Sequence, residues 1–159
     1  MREKIEIYFD GCCEPRNPGG SMGIGIVCFR NGKLVHELSY GCIVGQNWHK
    51  PTSNNIAEYL AFKAAVKWAY NTAAEMYDLT FYGDSKLVIN QMKGDWQIGE
   101  GMYVSYANEA KEELQNLVSS LAVATKFVWV PREANEPADI LSKKSLTDKG
   151  IKITDRSKK

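Results

Sequence analysis

Histidine, paired cysteines and long apolar runs are scarce in this sequence. It contains two histidines, His36 and His49, and four cysteines, none of which forms a C-x-x-C pair. This scarcity argues against a zinc finger or zinc knuckle, whose ligands come in closely spaced pairs. The adjacent Cys12 and Cys13 would form a strained disulfide, so we expect reduced thiols.

The sequence also lacks membrane and export signals. No apolar run approaches the length of a membrane-spanning helix. Residues 1–4 are mostly charged and lead directly into a strand pattern, without the apolar core or cleavage site of a signal peptide. We therefore expect a cytoplasmic protein with no membrane partner. The formal net charge of +1 argues against a strongly basic nucleic-acid binder, although a local basic patch is compatible with it.

The length of 159 residues suits one domain with one core, and we expect a monomer. Hydrophobic residues make up 44% and charged residues 25%, which is typical of a globular domain. We predict that the domain occupies residues 1–146. Residues 147–159 are polar and charge-rich, which predicts a frayed C-terminal tail.

Hydrophobic periodicity predicts the secondary structure. Ile5, Ile7 and Phe9 alternate with polar residues, as in a strand, and Asn31-Gly32 is a strong hairpin signal. A turn-rich segment is predicted over 11–20 and a break over 94–101. The predicted strands are 4–10, 21–30, 33–44, 79–83 and 126–130, and the predicted helices are 55–70, 85–92, 103–119 and 137–146. This order predicts an α/β fold with one mixed five-stranded sheet and helices on both faces.

Four acidic residues fall where they can converge. Asp10 and Asp84 each end a strand two residues after a tyrosine, so they lie side by side if the strands are parallel neighbours. Ligands bind at this carboxyl edge of α/β sheets. Glu58 and Asp139 lie beside apolar helix positions and can be directed at the same edge.

Each acid alone also has a structural explanation. Asp10 can belong to a turn with Gly11, Glu58 can close a capping box, Asp84 can cap a helix, and Asp139 can complement a helix dipole. Together, however, converging carboxylates raise each other's pKa unless a cation neutralises them. Oxygen ligands favour Mg²⁺ or Mn²⁺, and two such ions about 4 Å apart can bind the attacking and leaving oxygens of a phosphodiester.

Four ordered segments resemble motifs of the type 1 ribonuclease H family, and the resemblance extends over most of the chain. They are Tyr8-Phe9-Asp10-Gly11 followed by Asn17-Pro18-Gly19-Gly20, then Thr52-Ser53-Asn54-Asn55-Ile56-Ala57-Glu58, Tyr82-Gly83-Asp84-Ser85 and Asn135-Glu136-Pro137-Ala138-Asp139-Ile140-Leu141. The resemblance implies a ribonuclease-H-like fold and a metal-dependent endonuclease. Such an enzyme hydrolyses the RNA strand of an RNA/DNA hybrid and leaves 5′-phosphate and 3′-hydroxyl ends.

The resemblance also implies a set of site residues. Asp10, Glu58, Asp84 and Asp139 are the expected catalytic residues and the ligands of two Mg²⁺ or Mn²⁺ ions. The expected substrate-binding residues are Gly11, Cys13, Asn17, Asn54, Asn55, Lys86, Trp96 and Arg132. The sequence also allows structural roles: Cys13 can pack within its turn, and Asn54 and Asn55 can cap the helix.

The chain departs from many family members at two places, and thereby resembles short archaeal, bacterial or retroelement-type members. Many bacterial members carry a basic protrusion between the second and third helices. The corresponding residues 93–99 of this chain are few and contain one cation, Lys93. Substrate affinity should then be lower, or contacts must come from elsewhere, such as Trp96 or the lysine-rich C-terminus. A lone tryptophan can also be a core anchor.

The second departure concerns a histidine that many family members carry in the loop before the last aspartate. This chain has no histidine beyond His49, and its loop over 131–135 contains Arg132 instead. Arg132 can bind phosphate or stabilise the leaving group there, but it cannot act as a base. Alternatively, Arg132 forms a surface ion pair with Glu133 or Glu136.

Three other functions remain open at this point. A non-catalytic hybrid- or duplex-binding module would gain from losing the four acids, so their presence argues against it. A related DNA nuclease is disfavoured by the segment from Thr52 to Glu58. A ribonuclease domain detached from a reverse transcriptase is poorly separated from a free-standing enzyme.

Overall fold

The computed structural model describes residues 3–72, 77–121 and 124–154. In this part of the chain, five strands form one sheet with the order β3-β2-β1-β4-β5. The strands are β1 (Glu3–Glu14), β2 (Ser21–Arg30), β3 (Lys33–Cys42), β4 (Tyr77–Gly83) and β5 (Ala124–Trp129). The helices are α1 (Asn54–Thr72), α2 (Lys86–Lys93), α3 (Val104–Leu121) and α4 (Glu136–Thr147), and a short 3-10 helix (Arg132–Asn135) precedes α4.

The predicted element order and the mixed five-stranded sheet are confirmed. The first three strands form an antiparallel meander, whereas β4 and β5 run parallel to β1. In the register of β1 and β4, Tyr8 lies opposite Tyr82. Asp10 and Asp84, each two residues after one of these tyrosines, are therefore neighbours at the point where β4 ends, as the repeated tyrosine–aspartate spacing predicts.

The end of β1 differs from the prediction. The turn predicted over 11–20 is wrong for residues 11–14, which continue the strand and pair with β2 from Gly11 opposite Ile24 to Glu14 opposite Ser21. Pairing with a distant strand overrides the low strand propensity of this glycine-containing segment. At the other side of the sheet, β3 ends at Cys42, two residues before the predicted end.

Helices cover both faces of the sheet. Because strand side chains alternate, Phe9 and Gly11 face α1, whereas Asp10 and Cys12 face α4. The helix and strand approach closely at Gly11, where a Cβ atom would lie 2.2 Å from the carbonyl carbon of Ala57. Glycine at this position therefore permits α1 to pack against the end of β1.

The segment after α4 is packed against the body of the protein. Ile151 and Ile153 pack on the cluster of Cys12, Ile43 and Leu146. The amide of Thr154 donates a 2.7 Å hydrogen bond to Glu14 Oε2. The expectation of a frayed tail is thus wrong up to residue 154, and residues 155–159 lie outside the described residues.

None of the helices in the described ranges combines the length and apolar character that crossing a bilayer requires.

Candidate active site

Three acids converge at the carboxyl edge of the sheet. The rings of Tyr8 and Tyr82 stack with centroids 4.5 Å apart, two residues before Asp10 within β1 and two residues before Asp84 just after β4. The carboxylate of Glu58, on α1, accepts a hydrogen bond from the Gly11 amide. Carboxylate oxygens of Asp10, Glu58 and Asp84 all lie within 4.8 Å of one another.

The simple structural roles of these acids are filled by other residues. Ser53 Oγ accepts a hydrogen bond from the Ile56 amide at the start of α1, and Ser85 Oγ accepts one from the Val88 amide at the start of α2. Glu58 is therefore not needed as a capping-box residue, and Asp84 is not the N-cap. Asp10 lies within the paired part of β1, not in a turn.

Burial raises the pKa values of all three acids, and the charges of neighbouring acids add to the rise. Asp10 is 5% exposed, and its pKa is well above the usual range because of desolvation first and the charges of Asp84 and Asp139 next. Desolvation and the charges of Asp10 and Asp84 likewise raise the pKa of Glu58. The pKa of Asp84 is raised by desolvation, while hydrogen bonding with Asn135 and the charge of Arg132 oppose the rise.

Asp139 lies beside this cluster and is held by two cations. It acts on Asp10 both through its charge and as a hydrogen-bond partner. Its Oδ1 atom lies 3.0 Å from Lys143 Nζ and 3.8 Å from an Arg132 guanidinium nitrogen. Arg132 thus contacts the fourth expected acid of the site rather than Glu133 or Glu136.

The acids open into a cavity of about 530 Å³. Its lining includes all four expected catalytic acids and five of the eight expected substrate-binding residues, namely Gly11, Asn54, Asn55, Lys86 and Arg132. Because Ser53 caps α1, the side chains of Asn54 and Asn55 are not used as its cap. The capping alternative is therefore not needed for the pair, and substrate contact by Asn54 and Asn55 stays a prediction.

Cys13, Asn17 and Trp96 do not line the cavity. The Cys13 side chain is fully buried and its thiol donates to the carbonyl oxygen of Arg16, so it packs against the turn that follows β1. Asn17 Oδ1 accepts a hydrogen bond from the Asn54 amide and ties the turn to α1. Trp96 is 47% exposed, which excludes the core-anchor alternative.

Three residues at the site were not singled out from the sequence. Lys143 lies four residues after Asp139, a helical spacing that can reveal the ion pair. Trp129 donates from Nε1 to the carbonyl oxygen of Asp84, and Lys86 Nζ lies 4.9 Å from the centre of its ring. Ser142 Oγ lies 3.1 Å from Asp10 Oδ2. The contacts of Trp129 and Ser142 join distant segments, and no local pattern signals them.

The donor set fits a hard divalent cation. The clustered ligand atoms are carboxylate oxygens, and the described residues place neither histidine nor cysteine among them. Two of the three carboxyl groups are buried, and burial first and repulsion between neighbouring acids next raise their pKa values. A bound divalent cation would offset that repulsion.

Comparison with known proteins identifies the family. A family model described as reverse transcriptase-like matches residues 8–145. The chain belongs to this reverse transcriptase-like family. The chain is also similar to ribonuclease HI of Halobacterium salinarum, with 30% identity over 145 residues that cover 91% of this chain and 65% of that protein.

Solved structures show the same relationship. The crystal structure of RNase H1 from Halobacterium salinarum has a TM-score of 0.72 and 29% identity, covering 91% of this chain and 98% of that one. LC11-RNase H1, solved in complex with an RNA/DNA hybrid, has a TM-score of 0.74 and 29% identity, covering 92% and 99%. These matches confirm the resemblance to type 1 ribonuclease H and the fold predicted with it.

The match to longer proteins is partial. The chain spans 60% of the Bacillus subtilis protein YpeP, with which it is 28% identical, and 65% of the Halobacterium salinarum ribonuclease HI. The similarity therefore concerns the reverse transcriptase-like domain.

Proposed function

We propose that this reverse transcriptase-like domain is an endonuclease that hydrolyses the RNA strand of RNA/DNA hybrids. The main observation behind this proposal is that carboxylate oxygens of Asp10, Glu58 and Asp84 lie within 4.8 Å of one another in an open cavity. Support comes from the similarity to ribonucleases H, one of which was solved with a hybrid bound.

The proposed cofactor is Mg²⁺ or Mn²⁺, with two ions per site. Asp10, Glu58 and Asp84 would hold them, with Asp139 as a further ligand. Bound there, the ions would supply a hydroxide nucleophile and stabilise charge on the leaving oxygen.

The side chains around the acids have roles that follow from their positions. Lys86, Arg132 and Lys143 line the cavity and place positive charge where the phosphates of a polyanionic substrate would approach. Arg132 stays protonated, so it stabilises charge but does not move a proton. We propose that it acts on the phosphate or the leaving group in the absence of a loop histidine.

The hybrid is the proposed substrate because its minor groove exposes 2′-hydroxyls on one strand. Asn54 and Asn55 line the same cavity as Gly11. Their amide groups can donate to and accept from hydroxyls without reading bases. Cleavage should therefore depend on strand type and little on sequence. Exposed Trp96, outside the cavity, is a candidate for a more distant contact with the duplex.

A substrate panel tests the proposal. End-labelled RNA annealed to DNA, single-stranded RNA, double-stranded RNA and double-stranded DNA are incubated with the protein in Mg²⁺ or Mn²⁺, and with EDTA. We expect internal cuts in the hybridised RNA, with 5′-phosphate and 3′-hydroxyl ends identified by ligation and phosphatase treatment. Cleavage of DNA in place of hybrid would support a related DNA nuclease. Binding of the hybrid without cleavage would support a non-catalytic module.

The cytoplasmic location and the monomeric state stay predictions. Cell fractionation and light scattering of the purified protein would test them.

A further inference from the structure

Helix α4 lies unusually close to the sheet, and two glycines of β2 permit this. A Cβ atom at Gly23 would lie 1.8 Å from the carbonyl oxygen of Ser142, and one at Gly25 would lie 2.6 Å from the Ser142 amide nitrogen. Any larger residue at either position would force the helix away from the strand. The backbone of α4 around Ser142 is therefore held directly against the sheet, next to β1.

This approach buries the Ser142 side chain against Asp10. Ser142 is fully buried, and its hydroxyl lies 3.1 Å from Asp10 Oδ2 and 2.7 Å from the carbonyl oxygen of Asp139. A hydroxyl carries one proton, so it donates to one acceptor at a time. The Asp139 carbonyl lies within α4, where it can accept the regular helical hydrogen bond from the Lys143 amide. With a divalent cation bound, the Asp10 carboxylate is ionised, and an ionised carboxylate is a stronger acceptor than a carbonyl oxygen. Cation binding therefore favours donation from Ser142 to Asp10.

We propose that Ser142 is a positioning residue that fixes the carboxylate of Asp10 for divalent-cation binding. The inference rests on the proposed function, in which Asp10 is a metal ligand. A carboxylate rotates readily about its terminal bond, and a hydrogen bond to one oxygen restricts that rotation. Ser142 also belongs to the helix that carries Asp139. It thus links the strand-borne and helix-borne acids of the site.

The sequence of α4 offers a matched control. Ser145 lies three residues later in the same helix, and its Oγ has no hydrogen-bond partner among the described residues. Replacing either serine by alanine removes one oxygen from a largely buried position in α4. Only Ser142→Ala removes a contact with one of the four acids.

Two measurements test the proposal. Isothermal titration of Mn²⁺ into the metal-free protein should show affinity about tenfold weaker in Ser142→Ala, the size expected for losing an outer-shell partner of a metal ligand. Steady-state cleavage of a hybrid at fixed Mn²⁺ should show a lower kcat and an unchanged KM for the hybrid. Ser145→Ala should match the wild type in both. Equal Mn²⁺ affinity and kcat in Ser142→Ala and the wild type would overturn the proposal.

The wild type separates this test from that of the function itself. A wild type that neither binds Mn²⁺ nor cleaves hybrid contradicts the proposed function. A wild type that does both, alongside an unaffected Ser142→Ala, contradicts the role of Ser142 alone. Thermal unfolding checks that each variant folds. If Ser142→Ala does not fold, Ser142→Cys fills the position with a weaker donor, and the same loss of Mn²⁺ affinity is expected.

Discussion

At the scale of single residues, the clustered acids carry the proposed chemistry. We predict that Asp10→Asn, Glu58→Gln and Asp84→Asn each lower the rate of hybrid cleavage by at least about 100-fold, since losing a ligand costs more than losing an outer-shell partner. Their folds should persist, because each change preserves shape and removes a mutually repelling charge. Rates are measured in gel assays and folding by circular dichroism. The control is Asp148→Asn, which changes an exposed acid paired with Lys144; near-normal turnover in any two of the three variants would contradict the assignment.

Arg132 is the residue expected to compensate for the missing histidine. It is exposed and lies 3.8 Å from Asp139, so its guanidinium is free to reach a bound phosphate. We predict that Arg132→Ala lowers kcat on the order of 100-fold, as for loss of a donor to developing charge, and that Arg132→Lys retains part of the rate. Single-turnover kinetics at saturating enzyme measure this. An unchanged rate in Arg132→Ala would reduce Arg132 to a surface ion pair with Asp139.

At the scale of elements, the close contact between α4 and β2 sets the geometry of the site. We predict that Gly23→Ala destabilises the protein by about 1–3 kcal/mol or more, because its Cβ would overlap the Ser142 carbonyl oxygen at 1.8 Å. Urea unfolding measures the change. Gly99→Ala is the control, since a Cβ at Gly99 meets nothing within 4 Å. Equal unfolding midpoints for both variants would show that α4 shifts at no cost.

The segment after α4 gives a second prediction at this scale. Deleting residues 151–159 should lower the free energy of unfolding by about 1–3 kcal/mol, because Ile151 and Ile153 lose their contacts with Cys12, Ile43 and Leu146. Deleting only 155–159 retains those contacts and serves as the control. Thermal unfolding of both truncated proteins distinguishes them. Equal stability would mean that the packed isoleucines contribute little.

The periodicity of apolar residues predicted the order and type of the helices and strands, because it reflects which side chains each element buries. The alternation of Ile5, Ile7 and Phe9 marks one buried strand face, and all three side chains are fully or almost fully buried. The tyrosine–aspartate spacing likewise predicted that Asp10 and Asp84 follow paired positions of β1 and β4. The extension of β1 through Glu14 depends on pairing with β2, so the local sequence could not indicate it.

At the site, too, the sequence predicted the residues of local motifs but not the contacts between distant segments. The motif residues Asp10, Glu58, Asp84 and Asp139 could be proposed because their spacing and order carry information. The contact of Ser142 with Asp10 joins residues 132 positions apart and depends on how closely α4 approaches β2. The burial of Cys13 depends in part on its contact with Thr52. Such contacts follow from tertiary packing and leave no local signal.

At the scale of the whole molecule, the acid cluster couples stability to pH and to divalent cations. Acids whose folded pKa is raised stabilise the protein below their unfolded pKa, about 4, and that contribution is lost as pH rises through the folded pKa. In EDTA, Asp10→Asn should therefore become increasingly more stable than the wild type between pH 4 and 8. Thermal unfolding across this range measures the difference. A difference that does not grow with pH would contradict the raised pKa of Asp10.

Divalent cations should offset the loss of wild-type stability that accompanies ionisation of the acids at high pH. At pH 8, Mg²⁺ at 100 times its dissociation constant should stabilise the wild type by about 2.7 kcal/mol, and it should stabilise Asp10→Asn much less. At pH 5, protons compete with the cation for the raised-pKa acids, so the gain should shrink. Equal Mg²⁺ stabilisation of both proteins at pH 8 would place the binding site elsewhere.

The most direct test of the central claim is cleavage of an end-labelled RNA strand annealed to DNA, comparing the folded wild type with Asp84→Asn in Mg²⁺ and in EDTA. The account predicts internal cuts in the hybridised RNA by the wild type with Mg²⁺, and intact RNA in the other three reactions. Intact RNA with the folded, Mg²⁺-supplied wild type, or equally fast cutting by Asp84→Asn, would contradict it.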